Sequence, residues 1–335
     1  MRDLLFRGAR LLDPATGLDA TGDLLVRDGL ILDHGTGLAA PEAAETIDCA
    51  GRCLAPGLVD LRADVGEPGH EHRETIASAA AAASAGASPR SAPCRTPTRR
   101  WTTRPWCNLV LRRGEATGSI TLLPYAAATK HCEGRELAEY GLLKEAGAVA
   151  FTDGRRAIGN ARTMRLALSY ARAFGSFIVQ HPEEPSLAAG GAATEGELAT
   201  RLGLPGIPPA AESMMVARDI ALARITRGHV HFAHVSTAAA LDLIRAAKAE
   251  GLPVTCDTAP PYFDLNETAI GDWRTYAKLS PPLRPEADRL AVVAALADGT
   301  IDAIASDHQP RDADDKRLPL PRPRPAVPAL PRCSA

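Results

Sequence analysis

Four side chains that can titrate or coordinate stand just after short apolar runs. Asp153 follows residues 148–151, His181 follows 177–180, His234 closes 229–233, and Asp307 follows 301–305. Imidazoles and carboxylates move protons near neutral pH and donate to divalent metal ions. A single histidine at such a position is more often a hydrogen-bonded polar residue, and His229 and His231, alternating with apolar neighbours, read that way. His70, His72 and His131 lie among charges and read as surface groups, with a substitute zinc site at His70 and His72 as the weaker option. Cys49 and Cys53 have no second Cys/His pair at structural-zinc spacing.

The elements that would carry these residues alternate. From Pro56 onward, short apolar runs are separated by helical stretches such as 163–174, 239–250 and 287–297. Repeated β-α units with continuously hydrophobic strands predict a parallel sheet covered by helices. Polar groups at the strand ends point to an α/β fold of the (β/α)₈ type, whose sites sit at that end of the barrel. Residues 1–55 instead alternate apolar runs with Gly/Asp/Pro turns, which predicts a small β domain. The expected domains are therefore 1–55, a barrel over 56–317, and a tail over 318–335.

Two windows break the pattern. Residues 88–107 hold Pro89, Pro93, Pro97 and Pro105 with five arginines and two of the three tryptophans. A barrel strand and helix belong there, and prolines at that spacing are expected to block both. The tail contains six prolines and reads as disordered.

At 335 residues the chain can bury a large core. A net charge of −2 gives no electrostatic case for nucleic acid or an anionic membrane surface. No apolar run reaches membrane-span length, and Arg7, Arg10 and Asp13 interrupt any signal-like start, so a cytoplasmic location is expected. Seven cysteines without a tight pattern suit a reducing compartment.

The segment Gly57-Leu58-Val59-Asp60-Leu61-Arg62-Ala63-Asp64-Val65-Gly66-Glu67-Pro68-Gly69 resembles the first barrel strand of the class I dihydroorotases, in the amidohydrolase superfamily, which reads Asp-x-His-x-His, an Arg, then Glu-Pro-Gly. His181-Pro182-Glu183-Glu184-Pro185, Ala233-His234-Val235-Ser236-Thr237 and Ser306-Asp307-His308-Gln309-Pro310 resemble three further motifs of that family. The resemblance covers roughly residues 1–87 and 108–319. It implies a TIM-like amidohydrolase barrel and zinc-dependent interconversion of carbamoyl aspartate and dihydroorotate in pyrimidine synthesis. It also implies Asp153, His181, His234 and Asp307 as metal ligands, with Asp307 the catalytic proton shuttle. Relatives add a last barrel helix and C-terminal strands, so exposed apolar surface is expected here. The two Pro-rich windows then read as segments translated out of frame.

The departures cluster. Arg62 and Asp64 stand where the family has two zinc-binding histidines, and Gly66 where it has a substrate-gripping arginine. Ser280 and Arg311 replace an Asn and a His at substrate-binding positions, and the Met-Pro-Asn-Thr loop is absent. One zinc ion with Asp64 as a substitute donor is an option. A salt bridge from Arg62 to Asp307 or Asp153, filling the empty metal position, is preferred, because a fixed cation beside Zn²⁺ is costly. The expectation is a dihydroorotase-like chain of the subgroup with a degraded first His pair, impaired or inactive. The alternative is a non-catalytic partner of aspartate carbamoyltransferase; an allantoinase or hydantoinase-type hydrolase is the weaker one. A homo-oligomer stays open.

Overall fold

A computed structural model describes residues 3–42, 44–88, 90–93 and 104–320. The chain divides into two compact units, residues 1–58 and 59–335. The first is a five-stranded sheet of β1 (Leu4–Asp13), β2 (Leu18–Arg27), β3 (Leu30–Gly35), β4 (Glu45–Asp48) and β5 (Cys53–Leu54). The strands run in the order β3-β2-β1-β4, with β5 also pairing β1. Ala9, Leu11 and Cys49 form its small core. Cys49 and Cys53 are both free thiols.

The second unit is built on β6 (Val59–Ala63), β7 (Arg90–Pro93), β8 (Thr121–Leu122), β9 (Tyr125–Ala127), β10 (Ala150–Thr152) and β11 (Ile178–Gln180). It continues with a short outlying pair, β12 (Ala193–Thr194) and β13 (Gly206–Ile207), then β14 (Val230–Phe232), β15 (Val254–Thr258) and β16 (Ala303–Ile304). Parallel pairing runs β6-β7-β8 and β9-β10-β11-β14-β15-β16, and a parallel bridge from Ala63 to His308 joins the last strand to the first. Only Leu123 and Pro124 separate β8 from β9, so the two serve as one bent strand of an eight-membered ring. Every residue of β10, β11 and β14 is buried, as strands covered on both faces require.

The helices are α1 (Ile76–Ala85), α2 (Arg104–Thr117), α3 (Tyr140–Glu145), α4 (Ala161–Ala173), α5 (Pro185–Ala188), α6 (Glu197–Arg201), α7 (Ala210–Thr226), α8 (Ala238–Ala249), α9 (Pro260–Asp264), α10 (Glu286–Ala297) and α11 (Ala313–Arg317). Their starts follow from local chemistry. Thr75, Asn160 and Thr237 cap α1, α4 and α8 through side-chain oxygens that accept otherwise unpaired N–H groups. Between strands and helices lies one large apolar core, in which Tyr140 stacks on Phe151 at 4.0 Å and on Tyr170 at 4.7 Å. No helix among the described residues is long and apolar enough to cross a membrane.

The expectation that prolines block a strand and helix within 88–107 is overturned. β7 pairs in parallel with β6 and β8, and α2 begins at Arg104. Pro93 ends its strand, and Pro105 falls in the first helical turn, where no intrahelical N–H bond is lost. Residues 94–103 lie outside the described residues. So does the tail beyond Leu320, but Leu320 itself is buried with Ile270 and Leu204, so the expected disorder does not begin at 318. Val59 on β6 and Ile304 on β16 are exposed apolar residues.

One buried network ties the ring to its helices. Glu212 of α7 accepts hydrogen bonds from Ser236 N and Thr237 N at 3.0 and 2.9 Å, and from both hydroxyls. Arg284 lies 3.4 Å from the same carboxylate and donates to Ser236 Oγ at 3.0 Å. Removing one member of a buried ion pair leaves the other uncompensated. Glu212→Ala is therefore expected to cost about 3–5 kcal/mol, with Glu212→Gln milder because it keeps part of the bonding. Urea unfolding midpoints check this.

Candidate functional site

The ends of β6 and β16 are pinned together by Asp60. Its carboxylate accepts from Ser306 N at 3.0 Å, from Ser306 Oγ, and from Arg62 N at 3.1 Å. Burial raises its pKa against those bonds. This clamp sets Arg62, 5% exposed, beside Asp307, 2% exposed. Arg62 Nε lies 3.4 Å from Asp307 Oδ1. His234 Nε2 approaches the same oxygen at 3.3 Å. The other carboxylate oxygen accepts from Arg155 Nη2, and Arg155 Nη1 donates to Ser280 O at 2.7 Å.

The electrostatics follow. Burial alone would push the Asp307 carboxyl up, but Arg155, His234 and Arg62 hold it well below the usual carboxylate range. Burial pulls His234 down, yet Asp307 and Asp257 together raise it. Asp257, at the end of β15, lies 3.3 Å from His234 Nδ1 and 2.9 Å from His231 Nε2. Although fully buried, it is held low by these two rings. His231 is completed by Thr255 Oγ1 at 2.8 Å, so it is the bonded polar residue its sequence setting indicates. His234 and Asp307 both adopt left-handed backbone, with φ of 58° and 48°. For residues other than glycine that conformation is sparsely populated and concentrates at functional loops.

The remaining site candidates fall in two groups. His181 and Ser280 meet, with Nε2 to Oγ at 3.1 Å, and Glu183 Oε2 lies 3.7 Å from the same nitrogen. Burial lowers His181, favouring the neutral ring. The His181 and His234 ring centroids are 6.4 Å apart. Arg311 is pulled down to about 10, first by burial and then by Arg73 and Arg155. Asp153 stands apart. Its carboxylate is taken up by Thr129, whose N donates at 2.8 Å and whose hydroxyl also donates, and burial raises it to about 6. Asp64 accepts from Gly66 N at 3.0 Å, within its own loop. His70 and His72 meet edge to face, and His72 pairs with Asp312 at the surface.

Gly66 has φ +66°, and a Cβ there would lie 2.4 Å from Glu74 O and 3.0 Å from His70 O. The loop is therefore closed to any side chain at the position where an arginine was missed. Arg155 and Asp257 escaped the sequence reading. Arg155 lies four residues past the apolar run 148–151 and Asp257 directly after the short run 253–256, and the only available signal was a charged residue near a strand end.

A metal centre can be tested against these side chains. The buried His181 Nδ1 and both ring nitrogens of His234 have no hydrogen-bond partner among the described residues, as ligating nitrogens would. Against that, no three His, Cys, Asp or Glu side chains among the described residues group to hold a metal ion. Asp307 is engaged by two guanidiniums, and Asp153 by Thr129. The residues present do not fit a zinc centre.

The family model for dihydro-orotase-like proteins matches residues 51–240. A dihydroorotase of Desulforapulum autotrophicum is 46% identical over 93% of this chain and 74% of its own length. One of Geobacter metallireducens is 43% identical, with 94% and 74% covered. The chain belongs to the dihydroorotase family. Among solved structures, an L-hydantoinase of Arthrobacter aurescens superimposes with a TM-score of 0.84 over 98% of this chain and 75% of that one, at 21% identity. A D-hydantoinase of Thermus sp. gives 0.77 at 22% identity, covering 97% and 74%. These likenesses show the amidohydrolase-type barrel as the fold.

Because the Asp307 side chain is only 3% exposed, Asp307→Asn strands the buried Arg62 and the largely enclosed Arg155 and is expected to cost about 3–5 kcal/mol at neutral pH. Asp307 has a lowered folded-state pKa, so its contribution is complete above the unfolded carboxylate value near 4 and is lost as pH falls below it. The stability gap between wild type and variant should therefore narrow in acid. Urea titrations at pH values from neutral down to about 3 measure it.

Proposed function

We propose that this chain is a dihydroorotase-family protein that has lost zinc-dependent interconversion of carbamoyl aspartate and dihydroorotate. The observation that carries the reading is the buried Arg62–Asp307 ion pair, 3.4 Å between Nε and Oδ1. A carboxylate that would hold a metal is instead paired to a cation that cannot deprotonate. The closed turn at Gly66 supports loss of the substrate clamp alongside the metal. The barrel persists around the altered site, and a role as non-catalytic partner of aspartate carbamoyltransferase suits a fold kept without its reaction. The second reading, an active dihydroorotase, is favoured by the name and 46% identity of the Desulforapulum autotrophicum relative.

Two measurements separate the readings. Metal analysis of the purified chain should find less than about a tenth of a zinc ion per molecule. Dihydroorotate hydrolysis should fall at least about 10⁴-fold below that of a zinc-loaded relative, the order of magnitude that a lost metal nucleophile costs. Stoichiometric zinc with turnover would establish the active reading. Co-purification with the carbamoyltransferase is the expected outcome for the partner role, and no retention in a pull-down would remove it.

A further inference from the structure

Arg155 comes from a different strand end than Arg62 and meets the other oxygen of Asp307. Its two terminal nitrogens are both committed, one to Asp307 Oδ2 and one to Ser280 O at 2.7 Å, and its side chain is 14% exposed. A guanidinium gripped at both arms and largely enclosed has little freedom to swing aside. Unlike a lysine, it cannot lose its charge to make room. Nothing in these contacts passes through residues 62 or 64, which belong to β6 and its following loop.

We propose that Arg155 is a built-in cation that by itself bars a divalent metal from the corner formed by His181, His234 and Asp307. The consequence is specific: restoring imidazoles at 62 and 64 does not restore metal binding. An incoming ion would have to take Asp307 from Arg155 and then lie beside a fixed positive charge in a poorly screened site. The proposal rests on the reading that guanidiniums have displaced the metal.

The test compares wild type, R62H/D64H, R62H/D64H/R155M and R62H/D64H/R155K. Each is incubated with zinc, desalted, and measured for bound metal and for melting temperature with and without chelator. The R155M protein, which keeps side-chain length without charge, is expected to retain about one zinc per chain and to melt lower after chelation. R62H/D64H is expected to hold at least about tenfold less zinc, since its guanidinium keeps its charge, and the R155K protein to fall between the two, since a lysine can give up its proton to make room. Equal zinc in R62H/D64H and the R155M protein overturns the proposal, as does a cooperatively melting R155M protein without zinc. Should that variant not melt cooperatively, R155Q in the same background takes its place in the same comparison. A zinc-free wild type with a zinc-loaded R62H/D64H defeats the role of Arg155 alone. Zinc in the wild type defeats the displaced-metal reading itself.

Discussion

The carboxylate of Asp307 is the contact on which the centre of the barrel turns. It lies where the ends of β6, β10, β14 and β16 converge, and each of the other three strand ends brings it a partner: Arg62, Arg155 and His234. A buried carboxylate with no such partners would stay protonated or destabilise the fold. Every strand of a parallel barrel aims a side chain at the same small volume, so that volume must be electrically settled by something. In the proposed reading, positive charge that a metal would bring from solution is supplied by side chains already attached to the chain. The site then resembles a structural ion-pair cluster more than a reactive centre. It gains independence from metal supply and loses the open coordination position on which hydrolytic metal sites depend.

Support for this cluster extends outward in tiers. His234 is steered by Asp257, which is steadied by His231 and, through Thr255, by its own strand. The turn after His234 is fixed by Glu212 and Arg284, which join α7 to the loop before α10. Networks of this kind are stable only when nearly every member is satisfied, so they define one arrangement sharply. They are intact although Arg62 and Asp64 occupy β6 and its following loop. That separates the two jobs of such a barrel, holding its strand ends in register and presenting a reactive group.

Much of this was legible from the chain alone, for identifiable reasons. The β-α alternation exposed the strand ends, and with them Asp153, His181, His234 and Asp307, because parallel strands are short, apolar and end in polar residues. The family resemblance left two partners for Arg62, Asp307 or Asp153, and the structure pairs it with Asp307. Arg155 was not, since it is one arginine of an Arg155-Arg156 pair just after a turn, and only the third dimension aims it inward. Asp257 lay one residue past the end of the recognised run. Pro93 and Pro105 misled because the cost of proline depends on its position within an element, at an end or in the first turn, which spacing does not reveal. The inner face of α7 includes the buried Glu212 and Asp219, so apolar periodicity alone cannot trace it.

In the proposed reading, the turn at Gly66 sets the terms on which this lineage could regain zinc chemistry. With left-handed backbone and Glu74 O only 2.4 Å from any added Cβ, the loop has closed over the space a larger residue would need. Reversion there cannot be the opening move, because it strains the fold before any substrate is held. Nor, in that reading, do histidines at 62 and 64 help while Arg155 holds Asp307. Each backward step is unfavourable until others have been taken, so the change behaves as a ratchet: steps that are permissive in one order are penalised in reverse. A glycine that looks like a simple loss of a side chain is, in evolutionary terms, a latch.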